Sequence, residues 1–164
     1  MHMADALLSP PVGLGFWAVS GGALAYAARR LRSDAPPGAP LGTARSDGSM
    51  EPPADSFADE PTRLVPLMGV MGAFVFAAQM INFAIPGTGS SGHLGGGMLL
   101  GLMLGPWAAF VVLVSVVTVQ CLVFADGGLL ALGCNIFNLG ALPCFAGLPL
   151  ARALAGRAAG PARA

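Results

Sequence analysis

From Leu64 to Ala151 the chain carries one formally charged side chain, Asp126. A helix at the surface of a soluble protein needs a polar face toward water, and this stretch has none to offer. A bilayer is the solvent that suits it. Its hydrocarbon core, about 30 Å thick, accepts roughly 20 apolar residues per helix, so the run can cross several times. Over the whole chain 55% of residues are hydrophobic and 10% charged, with a mean hydropathy of +0.72. The 164 residues give room for one domain. The 24 glycines suit membrane helices, whose backbones approach closely through small residues. Zero net charge and the lack of any lysine argue against nucleic-acid binding, which needs a basic face.

Prolines and arginines divide the chain. A first apolar segment runs from about Val12 to Ala28, entered through Pro10-Pro11. It is read as retained rather than as a cleaved signal, because Asp5 precedes it while Arg29, Arg30 and Arg32 follow it, the reverse of a signal's charge order. Residues 1–30 therefore form an N-terminal segment with the first membrane helix. Residues 31–63, rich in Pro, Ser, Gly and acidic groups, read as a disordered linker. Residues 64–155 hold the remaining apolar segments: Leu64 to Ile85, a polar loop from Gly87 to His93, a short Leu94 to Leu104, then Trp107 to Ala125 and Leu129 to Leu150. Residues 156–164 form a small tail.

Arginine placement predicts sidedness. Arg29, Arg30, Arg32, Arg45 and Arg63 all flank or lie in the linker, which should then be cytoplasmic. Taking Gly105-Pro106 as a turn between a short passage and a full one also puts Arg152, Arg157 and Arg163 inside. The expectation is an all-α, polytopic integral membrane protein with about five passages, one of them short. Its N-terminus lies outside and its C-terminus in the cytoplasm. Met1, His2, His93 and Asp126 then share the external side.

His2 and His93 are the two histidines of the chain. A histidine at position 2 can chelate through the free α-amine, its own amide nitrogen and its Nδ1, closing a five- and a six-membered ring. Three nitrogens so held lie near one plane, which suits Ni(II) or Cu(II), and one more imidazole completes the square. His93 is the candidate for that place; the competing reading of His2 is a frayed terminus with no role. Gly89-Ser90-Ser91-Gly92 fits the G-x-S-G pattern of intramembrane serine proteases. Such an enzyme needs a histidine base on a different helix, whereas His93 is two residues from Ser91 and no histidine follows it.

Asp126 can orient a ligating imidazole from behind or cap the next helix. Asn135 and Asn138, three apart, read as interhelical hydrogen-bonding glue, as do Gln79 and Gln120. Cys121, Cys134 and Cys144 have neither disulfide nor zinc spacing and read as small buried hydrophobes.

Four stretches carry a resemblance. They are Met1-His2-Met3-Ala4-Asp5-Ala6-Leu7-Leu8-Ser9-Pro10, the run Pro66 to Phe74, the Ser-Gly-His-Leu-Gly-Gly core between Pro86 and Gly97, and Phe124 to Asn138. In these the chain resembles the CbiM/NikM type, the substrate-binding membrane components of energy-coupling factor (ECF) transporters for cobalt and nickel. The resemblance covers all but residues 31–63 and implies a cargo of Ni(II) or Co(II) without an organic cofactor. It implies a ligand set of Met1 nitrogen, His2 amide nitrogen, His2 Nδ1 and His93; Ser91, Asp126, Asn135 and Asn138 are candidates to stand behind these ligands. It also implies a bacterial or archaeal inner-membrane location. The implied partners are a coupling membrane component, a small accessory membrane component and one or two cytoplasmic ATPases. No P-loop is present, and the chain is not expected to be an enzyme. Relatives of this type usually continue with further membrane helices, so the alternative is a truncated or regulatory relative that binds metal without transporting it.

Overall fold

A computed structural model describes residues 4–33, 60–81, 83–86 and 90–158. All but the ends of the expected linker, and the tail from residue 159 onward, lie outside the described residues. A single 3-10 turn, Asp5–Leu7, precedes helix α1 (Pro10–Ser33), and α2 covers Glu60–Met80. A small hairpin follows, β1 (Phe83–Ile85) against β2 (Ser90–Gly92), and then come α3 (Gly97–Leu104) and α4 (Pro106–Phe124). The last helix starts as α5 (Leu132–Ile136), widens into a π-type stretch (Phe137–Gly147) and narrows again as α6 (Leu148–Ala158). The expected helical membrane architecture is present. Among the described residues three helices are long and apolar enough to cross a bilayer: Pro10–Ser33, Pro106–Phe124 and Leu132–Ala155. Leu64–Met80 is a shorter apolar helix, and the eight residues of α3 reach only about 12 Å.

Helix ends follow local chemistry. α1 continues past Ala28 to Ser33, because Ala, Leu and Arg are good helix formers and arginines in a last turn suit the negative end of the helix dipole. Arg30 also donates through Nε to the Tyr26 hydroxyl one turn back, at 3.1 Å. α2 stops at Met80 rather than at Ile85. Pro86 forces the residue before it toward extended backbone, and residues 83–85 pair antiparallel with residues 90–92, Phe83 opposite Gly92. Part of the polar loop expected between Gly87 and His93 is thus strand. Gly105, with φ +79°, breaks α3 from α4, and Pro106 opens α4 at a position that needs no N–H donor.

α4 is the centre of the bundle. It packs against α1, α2, α3, α5 and the π stretch, burying Phe110, Leu113 and Val117 completely. Lipid tails are as apolar as leucine, so close packing and hydrogen bonds hold membrane helices together. Both are visible here. Ser20 Oγ of α1 donates to the Gly133 carbonyl at 2.7 Å, and Trp17 Nε1 donates to the Leu129 carbonyl at 3.1 Å. A side chain on Gly133 would stand 2.6 Å from the Trp17 nitrogen. Val70, Phe74, Leu122 and Val123 are each more than half exposed, as side chains that meet lipid should be.

The π stretch has a cause in Pro143. In an α-helix a proline ring collides with the carbonyl four residues back, here that of Leu139. The wider turn carries that carbonyl aside, and Leu148 N–H bonds to the Pro143 carbonyl five residues back. The displaced Leu139 oxygen and the Pro143 ring form the surface on which α3 begins: a Cβ on Gly97 would be 2.8 Å from the first and 2.7 Å from the second.

Candidate metal centre

The described chain begins at Ala4, and Met1 and His2 lie outside the described residues. The segment just after them is well anchored. Asp5 Oδ1 accepts the backbone N–H of Ala131 at 2.8 Å. Ala131 immediately precedes α5, so the carboxylate sits at the positive end of that helix dipole. The fit is close, because a side chain on Gly128 would run into the Asp5 carboxylate and come within 2.5 Å of the Asp5 nitrogen. α1 presses on the same junction, where a side chain on Gly13 would lie 2.6 Å from Leu130.

His93 stands between β2 and α3 and is partly buried. Its Nδ1 is 3.0 Å from the Leu94 carbonyl oxygen. A carbonyl only accepts, so this bond puts the ring proton on Nδ1 and the lone pair on Nε2, the arrangement that a metal-binding imidazole uses. Nε2 itself is buried. Two of the glycines around it leave no free room for a side chain. A Cβ on Gly92 would be 2.8 Å from the Phe83 ring, and one on Gly96 would be 2.5 Å from Val75 Cγ1. Gly96 also has φ +75°, which side chains with a Cβ resist. The loop is therefore pressed between α2, the hairpin and the π stretch.

A chain of polar contacts joins this loop to the N-terminal segment. Gln79 Nε2 donates to the Gly95 carbonyl at 2.9 Å, and Gln120 Nε2 donates to Gln79 Oε1 at 2.9 Å. Cys121, next to Gln120, reaches the Gly127 carbonyl with its sulfur at 3.7 Å. Gly127 leads to Gly128 and Ala131, where Asp5 docks. The ends of α2 and α4, the His93 loop, the 125–131 junction and the N-terminal segment thus meet at one end of the bundle.

The other sequence candidates are spread over several elements. Ser91 lies in β2 opposite Ala84. Asp126 is partly buried, and its backbone N–H closes α4 on the Gln120 carbonyl at 3.1 Å, after Ala125 has turned the chain through φ +52°. Asp5 also supplies a carboxylate oxygen to the start of α5. Asn135 is buried, 3% exposed, whereas Asn138 is exposed and donates through Nδ2 to Cys134 Sγ at 3.5 Å. The two asparagines do not share one environment. Cys121, Cys134 and Cys144 are free and buried. Sequence reasoning missed Asp5 and Ser20, whose roles depend on partners more than a hundred residues away. Among the described residues no three His, Cys, Asp or Glu side chains gather to hold a metal ion, so any site on His93 draws its other donors from elsewhere.

This architecture defines a helical membrane protein with the His93 imidazole partly buried at the end where the N-terminal segment is anchored. Residues 55–164 match the family described as the cobalt uptake substrate-specific transmembrane region, CbiM, and the chain belongs to that family. A chain from Archaeoglobus fulgidus bearing the name fused nickel transport protein NikMN is 36% identical over 154 residues, which is 94% of this chain and 42% of the relative. The cobalt transport protein CbiM of Sorangium cellulosum is 33% identical over 82 residues, 50% of this chain and 36% of the relative. A crystal structure described as a transition metal transporter superposes with a TM-score of 0.73 at 31% identity, covering 95% of this chain and 57% of the other. The chain thus spans about half the length of the relatives it matches. It is a member of a cobalt and nickel transport family of membrane proteins.

Proposed function

We propose that this chain captures Ni(II) or Co(II) at the outer face of the cell inner membrane and passes it inward as the substrate-binding component of an ECF-type transporter. The ion is held by the Met1 amine, the His2 amide nitrogen, His2 Nδ1 and His93 Nε2. The observation that carries this reading is the state of His93. Its Nδ1 is engaged by a carbonyl, its Nε2 lone pair is buried, and the segment leading from His2 is fixed at the same end of the bundle. Three residues extend at most about 11 Å, so the amine stays within that distance of Ala4. Four nitrogens would surround the ion in a plane, which favours Ni(II), while similar ligands also serve Co(II). The coupling component, the accessory membrane component and the ATPases of such a complex are its proposed partners.

Extending the N-terminus by one residue tests the chelate. It moves the free amine out of ring-closing position while leaving the packing of the bundle intact. Ni(II) affinity of the purified full chain should fall by two orders of magnitude or more with unchanged thermal stability of the metal-free protein; unchanged affinity refutes the chelate. Metal uptake by cells expressing the partner components then separates transport from capture alone.

A further inference from the structure

Gln79 and Gln120 are 2% and 0% exposed, among the few polar side chains buried in the bundle. Their amide orientations are determined. The Gly95 carbonyl can only accept, so Gln79 turns its NH2 toward it at 2.9 Å. Gln79 Oε1 then faces Gln120 and accepts from its Nε2, also at 2.9 Å. This leaves Gln120 Oε1 buried with no hydrogen-bond partner among the described residues. An orphaned buried acceptor costs about 1–3 kcal/mol, and an apolar pair of the same shape would avoid that cost. Stability of the α2–α4 contact therefore does not account for the pair. What it does provide is a rigid hold on the Gly95 carbonyl, two residues after His93.

We infer that Gln79 and Gln120 are positioning residues for the metal site: through the Gly95 carbonyl they fix the loop that aims His93 Nε2 at the ion. The inference rests on the reading of His93 as a ligand. On either side of His93, Phe83 packs on Gly92 and Val75 on Gly96. Steric walls limit where a loop can go, whereas a directional bond selects one orientation of it. Partners that orient a ligating imidazole typically change metal affinity 10–100-fold when removed.

A double-mutant cycle on the full chain in detergent, titrated with Ni(II), tests this. Gln79→Met should lower affinity about ten-fold and shift the d–d absorption of bound Ni(II), with the metal-free thermal transition still cooperative. In a His93→Ala background the same substitution should cost nothing further, because its effect passes through the imidazole. Equal losses in both backgrounds, or full affinity and an unchanged spectrum in Gln79→Met, overturn the inference while leaving His93 as a ligand. Unchanged affinity in His93→Ala alone overturns the ligand reading and this inference with it. If Gln79→Met does not fold, Gln120→Met serves. It keeps the bond to Gly95 but frees Gln79 on its other side, and should lower affinity a few-fold in the parent and not in His93→Ala; no loss in the parent overturns the inference.

Discussion

Asp5 and Gly128 occupy almost the same space from opposite ends of the chain. The carboxylate satisfies an N–H at the head of α5 and stands where a Cβ of residue 128 would go. Gly128→Ala should therefore expel the N-terminal segment. It is expected to lower Ni(II) affinity at least ten-fold in isothermal titration. Asp5→Ala removes the bond without the collision, at a cost near 1 kcal/mol by analogy with other helix-start contacts. A fall of about 2–4 °C in the thermal midpoint of the metal-free protein is the matching observation. His93 and the terminal amine make a second prediction at this scale. Both must be unprotonated to bind metal. Affinity should thus drop steadily as pH falls from 8 to 6, with protons released on binding. A pH-independent constant over that range would contradict the chelate.

The loop from Gly92 to Gly97 behaves as an element of its own, shaped by contacts that exclude side chains. Gly96→Ala meets two penalties, a left-handed backbone worth about 1–2 kcal/mol and a collision with Val75. Trimming Val75 to Ala should relieve the second and not the first. The double variant should therefore lose less stability than the sum of the singles in thermal unfolding; strict additivity would show that Val75 does not confine the loop. At this scale, legibility from sequence varies with how local the cause is. The spans of α1, α4 and the last helix are written in their apolar runs. The break at Gly105 is written in Gly-Pro. The end of α2 is half legible, since Pro86 excludes helix just before it but does not say that residues 83–85 will pair with residues 90–92. Pro143 marks an anomaly in the last helix, yet a proline by itself does not say whether the helix will kink, break or widen to a π turn. Gln79 and Gln120 stand out as polar residues among apolar ones, and reading them as glue identifies the kind of contact without its partner. Asp5 gives no local sign of its role at all.

For the whole molecule the open quantity is its direction in the membrane. Arginine placement predicts that the 31–63 linker lies inside and the His93 loop outside. With Cys121, Cys134 and Cys144 buried, single cysteines can report this. Ser46→Cys should react with an impermeant maleimide only after cells are opened, and Thr88→Cys in intact cells; the opposite pattern would place the capture site on the cytoplasmic face. The bond between Asp5 and Ala131 also sets a timetable. During synthesis the first residues leave the ribosome long before Gly128 and Ala131 exist, so the N-terminal segment has nowhere to dock while α1, α2 and α4 are being inserted. A nascent chain halted before the 125–131 junction should be blind to metal even with His2 and His93 both present. On this reading the segment ahead of α1 is seated only after α4 is in place, and the proposed site can grip an ion only once α5 has begun.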